Sequence, residues 1–266
     1  MVRVIVHPGF HKTGTSSLQA YLSENRETLA PYLTFYGKED FPRAGTAARI
    51  YAQKPYPWRL RQFRRALDSF LADIPDAPVI VLSRETFSGA MPGHRRHSGR
   101  LITGYDCTAQ RLGRQITAAL RARFGPQVEI TWFFTVRDLE PWIRSVYGHL
   151  LRSIHLTEDF DTFRAQFPDL PDLSDLARKI ARDIGVPAPH LARLEDTGAR
   201  REGPAAALLD LLEVPATVRA GLPAAQRHNP GQDPALEEAF LALNRSGADK
   251  ETLRQHKDAM LRDRSA

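Results

Sequence analysis

The stretch that most limits what this chain can fold into is its beginning. An apolar run, Val2–Val6, leads straight into "HPGFHKTGTSS", His7 to Ser17. Gly9 and Gly14 have four residues between them, the spacing of a phosphate-binding loop. In the nucleoside-triphosphatase pattern a lysine follows the second glycine. Here Thr15 and Ser16 follow Gly14, and the lysine is Lys12, inside the loop. Strand, glycine turn and helix gather backbone N–H groups and the positive end of a helix dipole at one point, which makes an anion site whatever the side chains are. Thr13, Thr15, Ser16 and Ser17 add hydroxyl donors, and Lys12 adds a full charge. The bland alternative is a glycine turn with solvated polar residues.

Further along, "VIVL" at Val79–Leu82, "VEITWFFTV" at Val128–Val136 and the weaker "HLARLE" at His190–Glu195 are short apolar runs. Such runs are produced by a parallel sheet buried on both faces. Stripes at helical spacing lie between them: Leu18, Tyr21, Leu22 and Leu29; Leu60, Phe63, Leu67, Phe70 and Leu71; Leu112, Ile116, Leu120 and Phe124. Strand and helix alternating in this way predict an α/β fold, a parallel sheet flanked by helices. The last third is more helical, with patterns at Leu176–Ile184, Pro204–Leu212, about Pro234–Leu243 and Lys250–Leu261. With no internal repeat or low-complexity linker, residues 1–266 read as one domain. Pro215–Pro234 reads as a returning loop or a linker, so that 215–266 form a C-terminal loop and helices. The segment 88–106 has four glycines and no periodicity, and reads as a lid or a solvated loop.

Net charge is +6, and only six of the 37 basic residues are lysine. Guanidinium forks match tetrahedral oxyanions, although a GC-rich genome gives the same arginine bias. The lone Cys107 excludes a disulfide framework and a cysteine-based zinc site. His7 and His11 are four apart, but Pro8-Gly9 between them forbids a helix, so no metal site is expected. No apolar stretch approaches the roughly 20 residues of a membrane span. With a core-type strand in place of a signal peptide, the expectation is a cytoplasmic enzyme without a membrane span.

A second constellation is "FFTVRDLEPWIRSVYGHLLR", Phe133–Arg152. It starts in the most apolar strand, so Arg137 is the first charge beyond that strand's carboxyl end, where open α/β sheets place their ligands. Asp138 can cap the next helix, Pro141 fits its first turn, and Ser145 falls about two turns in. Taken alone, Arg137 and Ser145 read as a surface ion-pair residue and a neutral helix serine.

Together, "HPGFHKTGTSSLQAYL" and "TVRDLEPWIRSVYGHLLR" resemble the 5′-phosphosulfate loop and the 3′-phosphate motif of sulfotransferases that use 3′-phosphoadenosine 5′-phosphosulfate (PAPS), in particular bacterial, carbohydrate-type members. Softer likenesses follow in "ARKIARDIGVPAPHLARLED", "GPAAALLDLLEVP" and "RHNPGQDPALEEAFLALNRSG". One departure is Leu139-Glu140 before Pro141, where the family often has proline directly after the Val-Arg-Asp triplet. The resemblance implies a P-loop-like sulfotransferase fold. It implies that Lys12 contacts the bridging oxygen and sulfuryl group, that Thr13, Gly14, Thr15, Ser16 and Ser17 wrap the 5′-phosphate, and that Arg137 and Ser145 hold the 3′-phosphate. The expected reaction is sulfuryl transfer from PAPS, without a metal, to a hydroxyl or amine of a carbohydrate or small metabolite, with no nucleic-acid partner.

An alcohol acceptor must lose a proton. Glu85, in "VIVLSRETFSG" just past a buried strand, is the candidate base, and the resemblance places a Ser-x-Glu near the acceptor. A first-turn structural glutamate is the competing reading, and Glu39, His94 and His97 are the other contenders. Two alternatives differ in class: a P-loop small-molecule kinase, and a non-catalytic anion- or nucleic-acid-binding domain.

Overall fold

The computed structural model describes residues 2–226 and 234–262. Their contacts cluster into two compact units, Met1–Leu139 with Pro171–Asn229, and Glu140–Leu170 with Pro230–Ala266.

The first unit is built on a five-stranded, all-parallel sheet. Its strands are β1 (Arg3–His7), β2 (Thr34–Tyr36), β3 (Val79–Ser83), β4 (Glu129–Val136) and β5 (His190–Arg193), in the order β2-β3-β1-β4-β5. The expected parallel α/β sheet is therefore present. Central β1 pairs in register with both neighbours, Val4 opposite Ile80 and Ile130, and Val4, Ile5 and Val6 are wholly buried. Continuous apolar sequence is what a strand covered on both faces requires. β2 was absent from the sequence reading because three residues are too short to show a period.

The first helix-forming stripe divides into α1 (Thr15–Glu24) and α2 (Arg26–Leu29). The break falls at Asn25, whose backbone and side-chain N–H groups both donate to the Tyr21 carbonyl. α3 (Pro42–Gln53) escaped periodicity reading because its buried face is made mostly of small residues, Ala44, Gly45, Ala48 and Ala52. α4 (Pro57–Asp73) and α5 (Asp106–Phe124) match the other two stripes.

Residues 88–106 close on themselves. Arg95 and Leu101 form an antiparallel bridge, and Gly93 and Ile102 donate to the Ile102 and His94 carbonyls. Met91, Ile102 and Tyr105 anchor this segment in the core.

α6 (Leu139–Ser153) runs from the first unit into the second, which also holds α7 (Phe160–Ala165). The first unit continues with α8 (Leu173–Ile184), α9 (Leu194–Thr197), α10 (Ala206–Leu211) and α11 (Ala216–Gly221). α10 is preceded by one 3₁₀ turn at Gly203–Ala205, where the sequence predicts a single helix. α11 lies inside the proline-rich stretch read as a loop. Residues 227–233, which hold the asparagine of the expected C-terminal loop, lie outside the described residues.

In the second unit, α12 (Pro234–Arg245) and α13 (Lys250–Arg262) follow the expected helices. Asn244 Nδ2 donates to the Leu151 and Leu156 carbonyls at 3.1 and 2.8 Å, and the Lys257 ammonium donates to the Ile154 carbonyl. These bonds tie the two helices to α6 and the loop after it.

Candidate functional site

The glycine turn leaves the carboxyl end of β1, and Phe10 fastens it. That ring is wholly buried, 4.9 Å from Tyr105 and 5.2 Å from Phe134 between centroids. Gly9 and Gly14 have φ of 56° and 92°. A Cβ on Gly9 would lie 2.5 Å from Thr15 Oγ1, and one on Gly14 would lie 2.8 Å from Pro204 Cγ. Both positions therefore require glycine, for conformation and for space.

Lys12, at the turn's tip, also has positive φ, 67°. A non-glycine residue there stores strain of a kind concentrated at functional sites. Gly14 is the N-cap of α1 and no side chain caps that helix. The amides of Thr15, Ser16 and Ser17 have no acceptor within the helix, as at any helix start. The turn thus offers an anion a cradle of N–H groups, a helix dipole and one ammonium.

The threonine hydroxyls are engaged within the protein. Thr13 and Thr15 are buried, and their hydroxyls donate to the Phe10 carbonyl at 2.7 and 3.4 Å. Thr13 Oγ1 also lies 2.9 Å from Thr135 Oγ1. Both hydroxyls hold the turn onto β4. Ser16 is exposed and Ser17 half-buried.

Beneath the turn lies His7, wholly buried. Its Nδ1 is 2.8 Å from Ser83 Oγ and its Nε2 is 3.2 Å from Thr135 Oγ1. Gln19 of α1 donates to Ser83 Oγ at 3.0 Å. Burial pushes the imidazole pKa down to about 3, so the ring is neutral and braces β1, β3 and β4 as one donor and one acceptor. His11 faces elsewhere, stacked on Tyr105 with its Nδ1 3.1 Å from the phenol oxygen. The two histidines therefore diverge.

Glu85 begins a 3₁₀ turn, Glu85–Ser88, at the end of β3. Withdrawal of its carboxylate from water raises its pKa, and the charges of Lys12, Lys38 and Arg84 pull it back down. Lys12 and Glu85 thus follow the carboxyl ends of two paired strands, β1 and β3. Tyr105, missed in the sequence, stands against the turn at His11. Its phenol accepts the His11 backbone N–H at 3.2 Å, and its pKa stands well above 10 through burial, with Glu85 adding to the rise. Only its place between Gly104 and a helix start marks it in the sequence.

The other contenders lie differently. Glu39 is exposed, 3.6 Å from Lys38. His97 is exposed, and its backbone N–H is bonded to the Gln53 carbonyl. His94 is half-buried with its pKa lowered by burial.

Arg137 follows β4 directly, half-buried, its guanidinium 3.9 Å from Glu195. Glu195 also accepts the Asp138 N–H at 3.1 Å, while the Asp138 carboxylate pairs with Arg193. Leu194, beside Glu195, comes within 3.0 Å of a Cβ built on Gly14. Arg137 and the glycine turn therefore share the carboxyl edge of the sheet, at neighbouring strands. Ser145 lies in the second unit, half-buried on α6. Among the described residues, no three His, Cys, Asp or Glu side chains converge as a metal site would need. No protein-family model matches the chain, and no curated protein matches it.

Proposed function

We propose that this chain is a PAPS-dependent sulfotransferase acting on a hydroxyl or amine acceptor, of the carbohydrate or small-metabolite class. The observation that carries the reading is the glycine turn at the end of β1, with Lys12 at positive φ and the uncapped start of α1 behind it, beside Arg137 at the end of the paired strand β4. An ammonium at the tip suits the bridging oxygen of a terminal phosphosulfate, whose leaving charge it would neutralise. Uncapped amides of α1 suit the 5′-phosphate, and Arg137 on the next strand suits a second, separate phosphate. Ser145 is assigned to that phosphate through the resemblance alone.

Transfer on this reading needs little covalent help from the protein. The acceptor oxygen forms its bond to sulfur as the bridging oxygen leaves with adenosine 3′,5′-bisphosphate, and the acceptor proton passes to the Glu85 carboxylate. Burial makes that carboxylate a stronger base than an exposed glutamate. Lys12 and the amides act by position and charge.

The test is thermal stabilisation by adenosine 3′,5′-bisphosphate without metal, against ADP with magnesium. A clear shift for the bisphosphate and a much smaller one for ADP is expected. Equal shifts, or a magnesium requirement, favour the small-molecule kinase. Transfer from labelled PAPS across a panel of acceptors then identifies the second substrate.

A further inference from the structure

Away from the glycine turn, the outer face of α3, α4 and α5 carries a cleft of about 270 Å³ lined by Tyr51, Pro55, Pro57, Leu60, Arg111, Arg114 and Gln115. Tyr56 and Trp58 stand beside it in the chain. They are the large hydrophobic side chains that the described residues leave exposed, at 46% and 49%. Their rings stack 4.4 Å apart and 5° from parallel, between and beside two prolines that restrict the backbone. Paired exposed aromatics held this rigidly present a flat apolar face to solvent at little entropic cost.

The charges near it are mainly basic, with Asp68 paired to Arg64 and the Asp183 carboxylate acting on Arg114. Lys54, Arg59, Arg61, Arg64 and Arg65 occur with no acid from 54 to 67, and Arg111 and Arg114 line the cleft. Arg111 donates from one nitrogen to the Tyr51 hydroxyl at 3.3 Å, and Arg114 donates to the Asp183 carbonyl at 2.8 and 3.3 Å. Both guanidinium groups are oriented by these bonds and keep further N–H donors in a fork.

We propose that this cleft is an accessory binding site for an anionic saccharide, a pyranose carrying a carboxylate or sulfate. The aromatic face takes the apolar side of the ring, Gln115 the hydroxyl edge, and the arginine forks the anion. The volume fits a single ring, below the roughly 300–1,000 Å³ of drug-sized pockets. Single-stranded nucleic acid is the lesser match, since it needs successive stacking platforms along a groove, and here two rings cover each other's inner faces. The site is independent of the transfer chemistry proposed above.

Trp58 reports on its own site, because Trp132 and Trp142 are 2% and 0% exposed and contribute emission from the interior. Titration with trigalacturonate and with a sulfated dextran oligosaccharide should change the solvent-exposed component of emission, while neutral dextran should not. Trp58→Phe retains an aromatic face and should keep binding by calorimetry. Trp58→Ala and Arg111→Gln should each weaken it at least tenfold without moving the melting temperature by more than a degree or two. Absence of binding by both anionic saccharides overturns the proposal. So do equal affinity in Trp58→Ala, which would mean charge alone, and tighter binding of oligothymidylate than of either saccharide.

Discussion

The Nδ1 atom of His7 lies 2.8 Å from the hydroxyl of Ser83, across the pairing of β1 with β3, while the opposite edge of the same ring reaches Thr135 on β4. One neutral imidazole thereby joins the three strands from which the glycine turn, Glu85 and Arg137 emerge. Thr135 passes the connection on to Thr13 in the turn itself.

This buried ring gives folding stability a pH dependence of known sign. The folded pKa is about 3 and the ordinary value 6.5, so between them the unfolded chain binds a proton that the folded chain refuses. Stability contributed by His7 is fully present above about pH 6.5 and falls by about 1.4 kcal/mol per pH unit as pH drops toward 3. Denaturant titrations from pH 7.5 to 5 should show a shallower acid loss in His7→Gln than in the parent. Identical slopes would mean that the ring titrates normally.

Gly14→Ala should damage both fold and site. The new Cβ meets Pro204 and Leu194 at 2.8 and 3.0 Å, and φ is 92°. A loss on the order of 1–3 kcal/mol is expected, together with loss of bisphosphate binding. A melting temperature unchanged from the parent would show that the turn can relax.

Lys12→Gly separates strain from chemistry. Glycine adopts φ of 67° freely, so the variant should be as stable as the parent or more stable, by roughly 1 kcal/mol. Turnover with PAPS should nonetheless collapse, with bisphosphate binding much less affected. A variant that melts lower would make Lys12 a structural brace.

For Arg137→Ala the order reverses. Bisphosphate affinity should fall by roughly 1.5–3 kcal/mol, the worth of a charge-assisted bond, and discrimination against ADP should fall with it. If its phenotype matches that of Lys12→Gly in both binding and turnover, the two anion roles are misassigned.

Glu85→Gln keeps shape and removes basicity. Single-turnover transfer should drop by roughly 10²–10⁴-fold while bisphosphate binding persists. Because burial raises the Glu85 pKa, activity in the parent should disappear as pH falls through a value above the usual carboxylate range, and that limb should be missing in the variant. Near-normal transfer with a lowered melting temperature would return Glu85 to a structural role and direct attention to Glu39, His94 and His97.

Much of this was written locally. Val2–Val6, Val79–Leu82 and Val128–Val136 announce buried strands because a strand covered on both faces needs apolar residues at every position, and that demand shows in a single line of sequence. The turn from Gly9 to Gly14 is equally legible, since only glycine meets its dihedral and spacing requirements. β2 and α3 were not legible: three residues carry no period, and small side chains can line a buried face only because α4 and the Glu85–Ser88 turn pack against it. The site divides along the same line. Lys12, Glu85 and Arg137 follow from strand ends, which sequence order supplies. Their arrival at one edge of the sheet depends on the β3-β1-β4 order, which no local pattern states. The contact of the Thr13 hydroxyl with Thr135, the burial that neutralises His7 and raises the Glu85 pKa, and the arrival of Tyr105 over His11 all come from long-range packing. A residue's charge state is set by what surrounds it, and for these residues the surroundings lie between about 70 and 130 positions away in the chain.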